Sequence, residues 1–324
     1  MKTLTNNVFR SSWLVKKRVL GCAICILWGA VSFSQKPVEV TYTANSNNGV
    51  YTFQGKNPNF CDYTVKVDVS RLEGGTCDAP LPFIGAVPSG SSTLFSLKPT
   101  QDGQPVSFGY GYVAIKGKIL KKAPEAFVYL FPFSNKAPHR ALATQNIVEV
   151  VLGKKVSNFY GLSFVMNQGD SVFAARRGVV SEVKNTVDKQ SDKVWFSSET
   201  NFVEIFQQDG TFMRYNRLKK GEIAVKEGDD VEAGQLLGIV ADGAFEGSTV
   251  VQITNYYLDK ANAFVENKYP FAYLAPVFYN SNTPNGAQVQ SGETYQAQWP
   301  ENIITQEMPK RVLKKWKSSQ TKPN

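Results

Sequence analysis

A single histidine, His139, in 324 residues is the scarcest feature of this chain, and it removes whole classes of chemistry. A serine or cysteine nucleophile needs an imidazole beside it, and a hydrolytic zinc centre draws mostly on histidine, so one residue cannot be both ligand and base. His139 lies in Asn135-Lys-Ala-Pro-His-Arg140, a Pro- and Lys-containing stretch that predicts a solvated surface side chain. No Gly-x-Ser-x-Gly elbow, P-loop or dinucleotide fingerprint occurs. Acidic pairs such as Glu227 with Asp229 or Asp230 sit between short strands and read as solvated turn residues rather than a glycosidase pair. A sustained helical period is also missing.

Cysteine is scarce as well, and the amino terminus decides how its four copies count. Lys16-Lys17-Arg18 followed by the apolar run Val19 to Ala30 and the small residues of Ser32-Phe33-Ser34 has the layout of a secretory leader. Residues 1–34 are therefore expected to be removed between Ser34 and Gln35, which places the chain outside the cytoplasm, secreted or periplasmic. The apolar run is short for a membrane span. Val19-Leu-Gly-Cys22 lacks an apolar stretch ahead of its cysteine, so it is not a lipoprotein box. Cys22 and Cys25 would leave with the leader, and in an oxidising compartment the remaining Cys61 and Cys77 are expected to form a disulfide.

Of the formal charge of +9, five positive charges lie in the leader and six in the tail from Lys310 to Lys322, leaving the middle at about −2. The basic balance thus describes the two ends. Together with secretion, that excludes nucleic acid as a partner. The tail, 309–324, is expected to be disordered, with a weak contact to an anionic envelope surface.

What is present in quantity is β-strand signal. Val38 to Thr43, Gly49 to Phe53, Tyr63 to Val69, Thr93 to Leu97 and Tyr110 to Ile115 alternate apolar or β-branched residues at period two, between Gly-, Pro- and Asn-rich spacers. The fold class is all-β, and residues 35–122 are expected to form an immunoglobulin-like sandwich. Further on, Phe202 to Gln207 and Phe212 to Leu218 flank Asp209-Gly210, a hairpin signal because glycine reaches positive φ at no steric cost. A tight polar turn, Val225-Lys-Glu-Gly-Asp-Asp-Val231, then feeds Leu236-Leu-Gly-Ile-Val240.

This block, with Gly161-Leu-Ser-Phe-Val through Val172-Phe-Ala-Ala-Arg-Arg-Gly-Val-Val180, resembles the lysostaphin- or LytM-type zinc endopeptidases that cut peptidoglycan cross-links. The resemblance implies a duplicated-hybrid-motif β domain over 123–273, followed by a β extension over 274–308. Biotin-carrier and lipoyl domains share that motif, but Lys219 and Lys220 lack the flanking residues of a modifiable lysine. In the family, zinc is held by an early His, an Asp and the second His of a late His-x-His, with the other histidines serving acid/base roles.

Here the Asp position is Ser163, the hairpin Tyr-x-His-Leu is Tyr215-Asn-Arg217-Leu218, and the late pair is Val250 and Gln252. A guanidinium stays protonated at ordinary pH and cannot act as a base. The resemblance therefore implies a pseudo-enzyme with no catalytic residue, metal or cofactor. Silent relatives activate separate cell-wall hydrolases, which implies binding of peptidoglycan or of a hydrolase partner through the former groove, floored by Ser163, Arg217, Val250 and Gln252 with Tyr215 on the hairpin. Two other readings stay open: a structural or assembly component of the envelope that makes no use of the groove, and a metalloendopeptidase with an atypical metal site.

Overall fold

In the computed structural model, residues 37–145, 149–151, 154–156, 159–188, 200–243 and 248–320 are described. The expected leader and its cleavage point lie outside them. The chain divides into two compact units, Met1–Lys116 and Gly117–Asn324, so the first unit ends at Lys116 rather than at 122. Among the described residues no helix is long and apolar enough to cross a membrane.

The first unit consists of two antiparallel sheets. One runs Glu39–Asn45, Val50–Asn57, Gly90–Pro99, Gly75–Cys77, and the other Phe83–Val87, Tyr63–Glu73, Ser107–Lys116. All five strands expected from alternation are there, somewhat longer than the pattern marked. Gly75–Cys77 and Phe83–Val87 were not anticipated, being short and Gly-rich. Aromatic rings join the two sheets, Tyr110 meeting Phe53 at 5.2 Å and Phe83 meeting Phe95 at 5.0 Å, while Phe53 and Phe95 stack at 4.4 Å within the first sheet.

The expected disulfide is absent: no S–S bond joins Cys61 and Cys77. Cys61 is buried just before the Tyr63–Glu73 strand, while Cys77 ends a short strand of the other sheet, paired with Leu97. The even cysteine count gave a pairing rule but no geometry, and the chain sets Cys61 outside the strands and Cys77 in the four-stranded sheet.

The second unit is built on a nine-stranded antiparallel sheet among the described residues. Its order is Asp230–Val231, Gly178–Lys184, Phe202–Phe206, Phe212–Asn216, Val250–Leu258, Tyr160–Val165, His139–Gln145, Thr294–Tyr295, with Phe271–Leu274 also paired to Val250–Leu258. A smaller sheet of Ser171–Phe173, Leu236–Val240 and Leu218–Ile223 packs with it. The expected hairpin forms in register, Phe202 opposite Asn216 and Phe206 opposite Phe212, and Gly210 in its turn has φ +91°. Gly178 is required for a different reason: a Cβ there would lie 2.4 Å from the Phe206 carbonyl oxygen.

One face of the large sheet is apolar. Leu162, Phe164, Val203, Ile205, Met213, Val251 and Ile253 alternate onto it and join a buried core with Phe131, Phe133 and Phe278. The region after 273 belongs to this unit. Val277–Asn280 pairs in parallel with Val128–Tyr129, and Thr294–Tyr295 extends the large sheet beside His139–Gln145. Two helices follow, Glu301–Ile304 and Lys310–Gln320. The second corrects the expectation of a disordered tail: at helical spacing Val312, Leu313 and Trp316 share one side, a pattern hidden in the sequence by the surrounding lysines.

Candidate functional site

Strand pairing decides which of the anticipated residues meet. Ser163 lies directly opposite Gln252, and Gln252 opposite Asn216, so all three project from the face opposite the apolar core. Val250 is two residues from Gln252 and shares its face, paired with Val165. Arg217 follows Asn216 at the strand end in a left-handed backbone conformation, φ +70°, and its Nε donates to Gln252 Oε1 at 2.7 Å. Ser163, Gln252, Val250 and Arg217 thus form one cluster.

Tyr215 does not join it. One residue before Asn216, it points to the core face, where its hydroxyl accepts the Ala175 N–H at 2.8 Å and burial pushes its pKa well up. Period two dictates this separation, and a residue adjacent in sequence is on the wrong side.

The cluster is closed. Arg217, Val250 and Gln252 are 0% exposed and Ser163 is 1%, and Arg217 is the largest fully buried side chain of the described residues. Two of its polar atoms, Ser163 Oγ and Gln252 Nε2, have no hydrogen-bond partner among the described residues. A hydroxyl, an amide, a guanidinium and an alkyl group are not a zinc-binding set. Among the described residues, no group of three or more His, Cys, Asp or Glu is arranged to hold a metal ion.

His139 is not at the surface. It opens the His139–Gln145 strand at 4% exposure, its Nδ1 lies 2.9 Å from the Val165 carbonyl oxygen, and its ring meets Phe133 edge-on at 4.6 Å. A carbonyl only accepts, so Nδ1 carries the proton. Nε2 is 3.7 Å from Asp170 Oδ2. The Pro-Lys composition that indicated a loop is overridden by sheet pairing. Since Ala141 opposes Phe164 while Leu142 opposes Ser163, His139 falls on the core face, away from the cluster.

Farther along the cluster's face lies a charged network the sequence did not flag. Glu204, fully buried, accepts from Arg214 Nε at 2.8 Å, from Ser181 Oγ at 3.0 Å and from the Tyr256 hydroxyl. Burial, then the Glu204 charge, push the Tyr256 phenol well above its ordinary pKa, so it remains a donor. A second network surrounds Arg176, 3% exposed. Its Nε and Nη2 grip Glu307 at 2.9 and 2.7 Å, its Nη1 reaches Asp209 Oδ2 at 2.7 Å, and its guanidinium lies 3.6 Å over the Phe127 ring. Only the position of Arg176, within the Ala-Ala-Arg-Arg-Gly turn, marked it in the sequence.

Burial pushes the Asp209 carboxyl up, but Arg176 and hydrogen bonds from Thr211 outweigh it and hold its pKa below the ordinary 3.8. A carboxylate with a depressed folded value contributes stability above its unfolded pKa and loses it as pH falls through the folded one. Asp209→Asn is therefore expected to be less stable than wild type at neutral pH, the gap narrowing below about pH 4. Denaturant midpoints across pH test this, and a gap constant down to acid pH would refute it.

Residues 157–259 match the model of peptidase family M23. That span is similar to an M23 domain. The match takes in both hybrid-motif blocks and the cluster at Ser163, Arg217, Val250 and Gln252. Among solved structures, the catalytic domain of the antimicrobial peptidase lysostaphin from Staphylococcus simulans is similar at 22% identity over 36% of this chain and 79% of that one, with a TM-score of 0.27. A zinc-containing peptidase from Vibrio cholerae matches at 12% identity over 67% and 74%, with a TM-score of 0.31. Csd3 of Helicobacter pylori matches at 11% identity over 87% and 81%, with a TM-score of 0.28. A comparison with curated proteins found no match. Within this span, the residues expected at the family's zinc and imidazole positions, Ser163, Arg217, Val250 and Gln252, are the ones that form the closed cluster.

Proposed function

We propose that this is a catalytically silent M23-domain protein, secreted into the cell envelope, that binds peptidoglycan or a cell-wall hydrolase partner through the face carrying Ser163, Arg217, Val250 and Gln252. The observation that carries the reading is the chemistry of that cluster. It holds donors where the family pattern requires metal ligands and a base, and two of its polar atoms, Ser163 Oγ and Gln252 Nε2, are left without partners among the described residues. Such atoms cost desolvation free energy that a ligand carbonyl or carboxylate, displacing what covers them, would return. Arg217 adds a charge-assisted donor for the same carboxylate. Tyr215, in the core, has no part in it.

The full burial of the cluster favours a second reading, a structural or assembly component of the envelope whose M23 face is filled rather than used. Ser163→Ala separates the two. Removing an orphaned buried hydroxyl is expected to raise stability by about 1 kcal/mol, so the variant folds. Under the binding reading, its retention on isolated sacculi or on a captured hydrolase drops against wild type, and unchanged retention points to the scaffold. Elemental analysis of the purified protein tests both, since one zinc per chain would restore the metallopeptidase reading.

A further inference from the structure

The helix Lys310–Gln320 (KRVLKKWKSSQ) has five basic residues and no acidic one. At about 100° per residue, Val312, Leu313 and Trp316 fall within about 100° of one another, and the basic residues occupy an arc of about 160° on the remaining side. The basic side chains are exposed and the three apolar ones are half-buried. Lys317 meets Glu301 at 3.5 Å, but among the described residues no carboxylate pairs with Lys310, Arg311, Lys314 or Lys315.

This charge does nothing for the helix itself. Lys310 and Arg311 stand in its first turn, where the macrodipole disfavours cations and no acidic residue offsets them. Nor does it reflect the composition of the chain, whose middle is near neutral without the leader and tail. A cationic arc flanking a narrow Val-Leu-Trp stripe is the pattern of a helix lying in the plane of an anionic lipid surface, lysines among the headgroups and tryptophan at the interface.

We propose that Lys310–Gln320 is a docking helix for an anionic phospholipid bilayer. It holds the chain at a membrane surface without spanning it, independently of what the M23 face binds. Five charges at close range give reversible binding that weakens as salt rises.

The chain from Gln35 onward, freed of a leader that would contribute its own basic and apolar stretch, is pelleted with vesicles of equal parts phosphatidylglycerol and phosphatidylcholine. Wild type is expected to partition into the pellet at low salt and to leave it at high salt. The triple variant Lys310→Gln, Lys314→Gln, Lys315→Gln is expected to bind about a hundredfold more weakly. Tryptophan emission should shift to the blue on binding in wild type but not in a chain ended at Pro309, which keeps Trp195 and Trp299 and lacks Trp316. Near-UV circular dichroism verifies that the variants are folded. Equal binding to pure phosphatidylcholine vesicles, or triple-variant binding equal to wild type, overturns the proposal. Failure to pellet with either vesicle while soluble polyglutamate is bound also overturns it, and assigns the helix to an anionic polymer.

Discussion

Arg176→Met is expected to destabilise the second unit by about 3 kcal/mol, the range seen when one partner of a buried ion pair is removed. Methionine fills much of the space but leaves the Asp209 and Glu307 carboxylates facing each other's charge with no cation between them. Both are partly open to water, at 29% and 17%, which keeps the loss at the lower end of that range. It also forfeits the guanidinium packing on Phe127 and leaves the Tyr129 hydroxyl and Gln207 Oε1 without their third neighbour. Chemical denaturation followed in the second unit is the measurement, with Glu307→Gln as companion. That variant keeps one arm of the grip and is expected to cost less than half as much. If Arg176→Met unfolds at the wild-type midpoint, the network is ornamental and the account of Asp209 in acid fails with it.

Glu204→Ala is expected to cost about 3–5 kcal/mol. Its carboxylate is fully enclosed and serves three donors at once, so its removal strands the Tyr256 hydroxyl, leaves Ser181 Oγ only the backbone carbonyl of residue 204 at 3.3 Å and leaves Arg214 with Glu182 at 3.6 Å. Burial without a partner, rather than loss of attraction, dominates that figure. A double-mutant cycle identifies the cause. Arg214→Met added to Glu204→Leu should recover part of the loss, because an apolar pair of similar volume needs no compensation. A strictly additive pair would show that Arg214 is held by the Phe202 ring, 4.1 Å away, and not by the carboxylate.

These networks explain why the sequence was legible in some places and opaque in others. Alternation located the five strands of the first unit and the Phe202–Asn216 hairpin, because a half-buried strand must repeat every two residues. Ser163 and Gln252 were grouped by the family resemblance, and the strand register sets them opposite each other. Long-range pairing was beyond alternation. His139 looked like a loop residue because its neighbours are Pro, Lys and Arg, and only the strands at either side of it bury the ring. Arg217 was expected on the floor of the former groove, and its left-handed backbone turns it into the protein against Gln252. Tyr215 shares a motif with Arg217 but not a face. Glu204 and Glu307 carried no pattern, and the pairing of Arg176 with Glu307, 131 residues apart in the chain, leaves no local trace.

That separation also sets a clock. Arg176 waits for Glu307, and the Val128–Tyr129 strand for Val277–Phe278, so the second unit cannot close while the ribosome is still making its last segments. At usual elongation rates the interval from Arg176 to Glu307 is on the order of 10 s, during which the buried guanidinium has no bidentate acceptor and one sheet edge is uncovered. A polypeptide that cannot lock its fold before its end is synthesised stays threadable until then.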